Sequence, residues 1–264
     1  MTIAITGSTS NLGIYLVKYL KSKKKKIVEI NRKNDNFFLE NSQTYNFKGK
    51  NISVLIHLAH SYTRKGLKVN YEGSKKLFIN ARKNNVKKII FISSISAHNN
   101  ALSEYGKTKY KIEKFCLKNQ IIILRPGIIF GGGIDKKLSL MTNLLHYFPI
   151  VPCFNNKSKF LYSVHINDLI KVIFKTIKSS KLIGNYNVFS NHKIYLKNFI
   201  DLTTNKKIKI YIPYLFFYIF FNLISKILYL KSVDSFLGIL GNRINYDNPN
   251  EKNIFTNKNI LKNK

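Results

Sequence analysis

Residues 2–20 restrict the fold of this chain more than any other stretch. Thr2-Ile3-Ala4-Ile5 is a short apolar run rich in β-branched side chains. Such a run reads as a strand buried on both faces of a parallel sheet. Thr6-Gly-Ser-Thr-Ser-Asn-Leu-Gly13 follows, and Ile14, Leu16, Val17 and Leu20 then recur at helical spacing. Strand, glycine-rich turn and helix, in that order, form the context in which such a turn receives a dinucleotide pyrophosphate. Gly7 allows the tight turn, the amides at the helix N-terminus face the phosphates, and Gly13 lets the helix lie close to the sheet. The turn therefore nominates Gly7, Ser10, Asn11, Leu12 and Gly13 as cofactor-binding residues.

A second strand is expected at Ile27-Val28-Glu29-Ile30, after the lysine-rich loop Lys23 to Lys26. A carboxylate at the tip of that strand would bind the ribose hydroxyls of NAD. The tip here is Asn31-Arg32. A guanidinium suits the 2′-phosphate of NADP, so NADP is slightly favoured over NAD. A solvated basic loop is the competing reading of the same two residues.

Tyr105-Gly-Lys-Thr-Lys109 begins eleven residues after Ser94. A tyrosine and a lysine four positions apart share one face of a helix. A free phenol titrates near ~10, and a neighbouring ammonium favours its ionised form. With a serine hydroxyl to hold the reacting oxygen, the three side chains suit proton exchange with an alcohol or carbonyl while a cofactor carries the hydride. Ser94, Tyr105 and Lys109 are the candidate catalytic residues.

Taken together these segments resemble the extended short-chain dehydrogenase/reductase family, in its NAD-dependent epimerase/dehydratase group acting on nucleotide sugars. Thr6 to Gly13 looks like the T-G-x-x-G-x-x-G turn of that family. Val54-Leu-Ile-His57-Leu-Ala-His60 is similar to its fourth strand, whose end packs on the cofactor, which implies contacts from Leu58, Ala59 and His60. Asn70-Tyr-Glu-Gly73 resembles the N-x-x-G segment and puts Asn70 near the cofactor. Phe91-Ile-Ser-Ser94 looks like the strand ending in the catalytic serine or threonine, and Tyr105 and Lys109 match the tyrosine and lysine. Leu124-Arg-Pro-Gly127, His165-Ile-Asn-Asp168-Leu, Tyr186-Asn-Val188 and Tyr246-Asp-Asn248 resemble later motifs. Ser10 stands in place of the middle glycine, Ser53 in place of an aspartate opening the fourth strand, and Asn167 in place of an aspartate.

The resemblance implies an α/β fold, a Rossmann-type doubly wound parallel sheet with a small interleaved C-terminal substrate lobe. Residues 1–130 would form the NAD(P)-binding domain, with 160–180 returning to it; 131–250 would form the substrate lobe and 251–264 a polar tail. It further implies a nucleotide-sugar substrate, 4-keto reduction or 4-epimerisation in cell-envelope polysaccharide synthesis, and a homodimer. Lys109 would lower the Tyr105 pKa and hold the nicotinamide ribose. A dehydratase fits less well, because the resembled dehydratases carry an acidic residue where Ile95 follows Ser94. A non-catalytic, cofactor-sensing relative is the alternative.

Composition adds limits. The 264 residues suffice for a full α/β core. A formal net charge of +33 looks like a nucleic-acid signal, but only five of the 45 basic residues are arginine and the lysines are scattered. Specific nucleic-acid readers rely on arginine, so no specific nucleic-acid partner is expected, only a field that attracts anions. Cys116 and Cys153 lack metal-ligand spacing, and the six histidines form no cluster. No metal is expected, and His57 and His60 read as packing and cofactor-pocket residues. A reduced cytoplasmic protein without a signal peptide is the simple expectation. Ile210 to Ser225 is an uncharged stretch holding Phe216, Phe217, Phe220 and Phe221. It suits a proline-led apolar helix of the substrate lobe, or peripheral membrane contact; a span needs about 20 apolar residues.

Overall fold

The fold is taken from a computed structural model. It describes residues 1–62, 66–132, 150–153, 160–180, 182–192, 194–195, 208–211 and 251–256, with single positions at 213, 216 and 219. In chain order the elements are β1 (Thr2–Thr6), α1 (Asn11–Ser22), β2 (Lys26–Ile30), the short α2 (Arg32–Asp35), a 3-10 turn (Leu39–Thr44), β3 (Ile52–His57), α3 (Gly66–Lys83), β4 (Lys88–Ile92), α4 (Glu104–Lys118), β5 (Ile122–Pro126) and β6 (Ile128–Phe130). Then come β7 (Ile150–Cys153), β8 (Phe160–Leu161), β9 (Ser163–His165), α5 (Ile166–Lys178), β10 (Asn185–Ser190), β11 (Ile194–Tyr195), β12 (Ile208–Tyr211) and β13 (Glu251–Thr256).

Seven strands form one parallel sheet in the order β13-β10-β5-β4-β3-β1-β2. Successive side chains on a strand point to opposite faces, and here both faces are apolar. Ile3 and Ile5, Val54 and Ile56, Ile90 and Ile92, and Ile122 and Leu124 face α1 and α5, meeting Leu16, Leu20, Leu169 and Ile173. Ala4, Leu55, Ile89, Phe91 and Ile123 face α3 and α4, meeting Leu77, Phe78, Ile112 and Cys116. The result is a three-layer Rossmann-like sandwich, in which continuous apolar strands are what burial on two faces requires. After β2 the strand order reverses, because β3 pairs on the other side of β1. Ligands of open α/β sheets bind at such a reversal, beyond the carboxyl ends of the strands.

Three features differ from the sequence reading. The strand likened to a fourth strand is the third in the chain, because α2 and the 3-10 turn alone occupy the link from β2 to β3. Residues 251–256, read as part of a polar tail, pair in register with β10 from Asn185↔Glu251 to Ser190↔Thr256. β10 itself, inside the range assigned to the substrate lobe, is a fully buried strand of the main sheet. Of the apolar stretch 210–225, Ile210 and Tyr211 end β12, Pro213 is exposed, and Phe216 and Ile219 are helical and exposed; the rest lies outside the described residues, as do Tyr246-Asp-Asn248 and most of 131–159. Among the described residues no helix is long and apolar enough to cross a membrane.

Candidate active site

The glycine turn sits where β1, β2 and β3 end. Gly7 has φ +69, and a β-carbon there would stand 2.8 Å from the Ala59 amide nitrogen. A left-handed backbone and a close strand crossing both require glycine at this point. At Gly13 a β-carbon would come within 2.3 Å of the Gly7 carbonyl oxygen, so α1 rests directly on the turn. Ser10 is the N-cap of α1, and its Oγ accepts from the Gly13 amide at 3.1 Å. Serine in place of glycine is thus a helix cap in extended conformation (φ −71, ψ 160).

Two buried side chains brace the turn. His57 bonds the Thr6 hydroxyl through Nδ1 (2.7 Å) and the Ser74 hydroxyl through Nε2 (2.9 Å). Burial, followed by the charge of Lys109, depresses its pKa from 6.5 to about 3, so the ring is neutral. Asn31 donates to the Ser8 hydroxyl (3.0 Å), while its Oδ1 accepts from the Lys33 and Asn34 amides (2.9 Å each) and caps α2. Its polar atoms are thereby engaged within the protein. Arg32 lies over the Phe38 ring at 5.3 Å.

Beside the turn opens a cleft of about 970 Å³, lined by Gly7, Ser8, Ser10, Asn31, Arg32, Leu58, Ala59, His60 and Tyr62 among others. Lys18, Lys21 and Lys33 add positive charge, and Glu29, one residue short of the β2 tip, is paired with Lys21 at 2.8 Å. A glycine turn with no room for a side chain, the amide end of a helix and a basic wall fit a dinucleotide. Of the other candidate binding residues, Asn11, Leu12 and Gly13 lie on α1, and Asn70 is buried behind the lining. The Asn70 amide is locked to Ser61, accepting from its N–H and donating to its carbonyl, each at 2.7 Å.

The acid/base candidates lie at the neighbouring strand ends. Ser94 follows β4; its hydroxyl donates to Ser96 Oγ (3.1 Å) and accepts from the Ser96 amide (3.2 Å). Tyr105 and Lys109 occupy the first two turns of α4, which Ser103 caps by accepting from the Gly106 amide. Lys109 is 3% exposed and donates to the Ile92 carbonyl at 2.8 Å. Its ammonium stands 4.6 Å from the Phe91 ring centre and 5.7 Å from that of Tyr105. The sequence reading had Lys109 lowering the Tyr105 pKa. Instead that pKa is raised, first by burial and then by Tyr62. Desolvation of the phenol outweighs a cation whose hydrogen bond is directed at a strand carbonyl.

His60 joins the two halves. Its ring meets Tyr105 edge-on at 4.9 Å and Tyr62 at 4.7 Å, and both His60 and Tyr62 also line the cleft. Tyr62 went unread in the sequence, although its place two residues beyond His60 puts it on the same loop. Glu113 was also missed. It forms a two-point ion pair with Arg125 (Nε–Oε1 2.9 Å, Nη2–Oε2 2.6 Å), with side chains 1% and 7% exposed. One turn beyond Lys109, that pair fixes α4 to β5; a lone acid on the buried face of a helix was the available signal. His165 caps α5, accepting from the Asn167 amide at 3.2 Å. Among the described residues no group of acidic, histidine or cysteine side chains is placed to hold a metal.

Comparison with known proteins agrees with this architecture. No curated protein matches the chain. Among solved structures, the Thermus thermophilus UDP-glucose 4-epimerase in complex with NAD superposes with a TM-score of 0.61 at 16% identity, over 81% of this chain and 86% of that one. A dTDP-4-dehydrorhamnose reductase from Clostridium acetobutylicum gives 0.62 at 21% identity, over 82% and 85%. That of Bacillus anthracis, in complex with NADP, gives 0.63 at 18%, over 82% and 86%. At such identities the likeness is one of fold. The sequence pattern of the NAD-dependent epimerase/dehydratase family matches residues 3–189, from the first strand through the glycine turn and the Tyr105–Lys109 helix to β10. The chain belongs to the NAD-dependent epimerase/dehydratase family.

Proposed function

We propose that the protein is a nicotinamide-dependent enzyme acting on the 4-position of a nucleotide-activated sugar, as a ketoreductase in the first instance and a 4-epimerase in the second. The observation that carries this reading is the contact of His60 and Tyr62, which line the cleft beside the glycine turn, with the Tyr105 phenol. The turn at Gly7–Ser10 and the amide end of α1 would hold the pyrophosphate, with Arg32 toward the adenosine ribose. Lys109 would reach the nicotinamide ribose. When bound, the nicotinamide supplies or removes a hydride at carbon.

The protein's own part is proton transfer. Tyr105 gives its proton to the oxygen of a 4-keto sugar, and Ser94 orients that oxygen. Burial keeps the phenol protonated at neutral pH, the form in which it would meet a 4-keto oxygen. Arg32 at the β2 tip supports NADP over NAD. The place in metabolism would be cell-envelope polysaccharide assembly.

The test is fluorescence titration of the purified protein with NADPH and NADH, followed by turnover of 4-keto sugar nucleotides. Micromolar NADPH binding with reduction is expected. Tyr105→Phe should cost roughly 10²–10⁴ in turnover while leaving cofactor affinity within a few fold. Co-purified NAD with interconversion of 4-epimers would move the assignment to the epimerase. Failure to bind either cofactor would overturn both and favour a non-catalytic relative.

A further inference from the structure

The loop after β3 crosses the carboxyl end of the sheet and carries His60 and Tyr62. Asn70 of α3 is bonded to this loop at Ser61. The paired bonds between Asn70 and Ser61 fix the amide of Asn70, so the group it turns toward His60 is its Nδ2 donor, 3.4 Å from Nε2. Nε2 then accepts, and the neutral ring carries its proton on Nδ1. With its orientation set, His60 presents a ring edge between two tyrosines, 4.7 Å from Tyr62 and 4.9 Å from Tyr105. The two tyrosine rings are parallel within 6°, with centres 6.3 Å apart. Tyr105 thus has an aromatic neighbour on two sides, and Lys109 below it at 5.7 Å. Tyr62 is 50% exposed, so it forms the outer wall of this arrangement.

We infer that His60 and Tyr62 are positioning residues that clamp the Tyr105 ring in one orientation and shield it from bulk water, with Asn70 setting the His60 ring. Edge-to-face and offset-parallel aromatic pairs at these separations are attractive. They also exclude the water that would solvate a phenolate. Among the described residues, the titratable and charged groups facing the phenol are His60 and Tyr62 from the loop and Lys109 from its own helix. Of these only Lys109 favours ionisation. The clamp therefore disfavours the phenolate and holds the proton on Tyr105. It acts on the residue that the proposed reaction uses, and rests on that reading for its catalytic meaning but not for its physical test.

That test is carbon-13 NMR of the protein alone, labelled at the tyrosine ζ carbons, with the Tyr105 signal assigned by its loss in Tyr105→Phe. In the wild type the signal should remain that of a protonated phenol beyond pH ~10, where an ordinary tyrosine titrates. In Tyr62→Ala and in His60→Ala it should titrate at least ~1 unit lower than in the wild type, because burial is the main cause of the shift. His60→Phe, which keeps the ring edge, should restore most of the wild-type behaviour. An unchanged titration in the folded Tyr62→Ala protein would overturn the clamp, and so would a His60→Phe protein no different from His60→Ala. Since no cofactor or substrate is present, the clamp and the nucleotide-sugar assignment can fail separately.

Discussion

His57 shows how one side chain couples burial to pH. Its ring is fully buried, bonded on both nitrogens, and titrates near 3 instead of 6.5. Between those values the unfolded chain binds the proton and the folded one does not. The associated stability is therefore complete above about pH 6.5 and is lost as pH falls toward about 3, at about 1.4 kcal/mol per unit. Denaturant midpoints measured from pH 7 to pH 4 should fall, and His57→Gln should flatten the slope. An identical slope in the two proteins would exclude His57 as its source. At this scale the sequence was partly legible. Tyr105, Lys109 and Ser94 stood out by spacing, but nothing in the order of residues revealed that the phenol would be desolvated rather than ionised. Burial depends on which neighbours the fold supplies, and Tyr62 reaches Tyr105 across more than forty positions.

At the scale of elements, the start of α1 carries the clearest expectation. Ser10 caps the helix and spaces it above the glycine turn. Ser10→Ala should cost about 1 kcal/mol of stability, whereas Ser10→Gly should cost only a few tenths. Thermal unfolding would tell them apart, and equal losses would mean that the cap contributes nothing. Ser10→Gly also restores the glycine of the family pattern, so cofactor affinity in that variant compares a serine cap with a bare turn. β1, α1, β2, β4 and α4 were readable because each has a local signature: an apolar run, a helical period, a glycine or serine at its edge. β13 was not. Glu251-Lys-Asn-Ile-Phe-Thr256 has four polar residues in six, as befits a strand at the sheet edge among the described residues, and it is extended by pairing with β10, over sixty residues earlier. The link from β2 to β3 was misjudged for the converse reason. A count of strands carried over from a family says nothing about one that is absent, and α2 with its 3-10 turn leaves β2 at the sheet edge among the described residues.

For the whole molecule, charge is the dominant bias. Twelve carboxylates face 45 lysines and arginines, so most cations cannot find an opposite partner and the folded surface repels itself. Raising ionic strength from about 0.01 M to about 0.15 M shortens the screening length from ~30 Å to ~8 Å. The unfolding temperature should rise by several degrees over that range. A flat or falling midpoint would mean that the positive field is already neutralised by bound anions. The buried Glu113–Arg125 pair is screened far less, and it ties the helix bearing Tyr105 to β5.

The pairing of β10 with β13 sets an order of events during synthesis. A ribosome that has translated as far as residue 250 has made every described strand of the main sheet but β13. Until Glu251 to Thr256 emerge, the edge bonds of β10 have no strand to receive them, on a segment buried along its whole length. The nascent chain therefore exposes a sticky ladder until β13 is free to pair. An mRNA truncated between codons 190 and 251 would leave that ladder open for good, marking the product for chaperones or for aggregation.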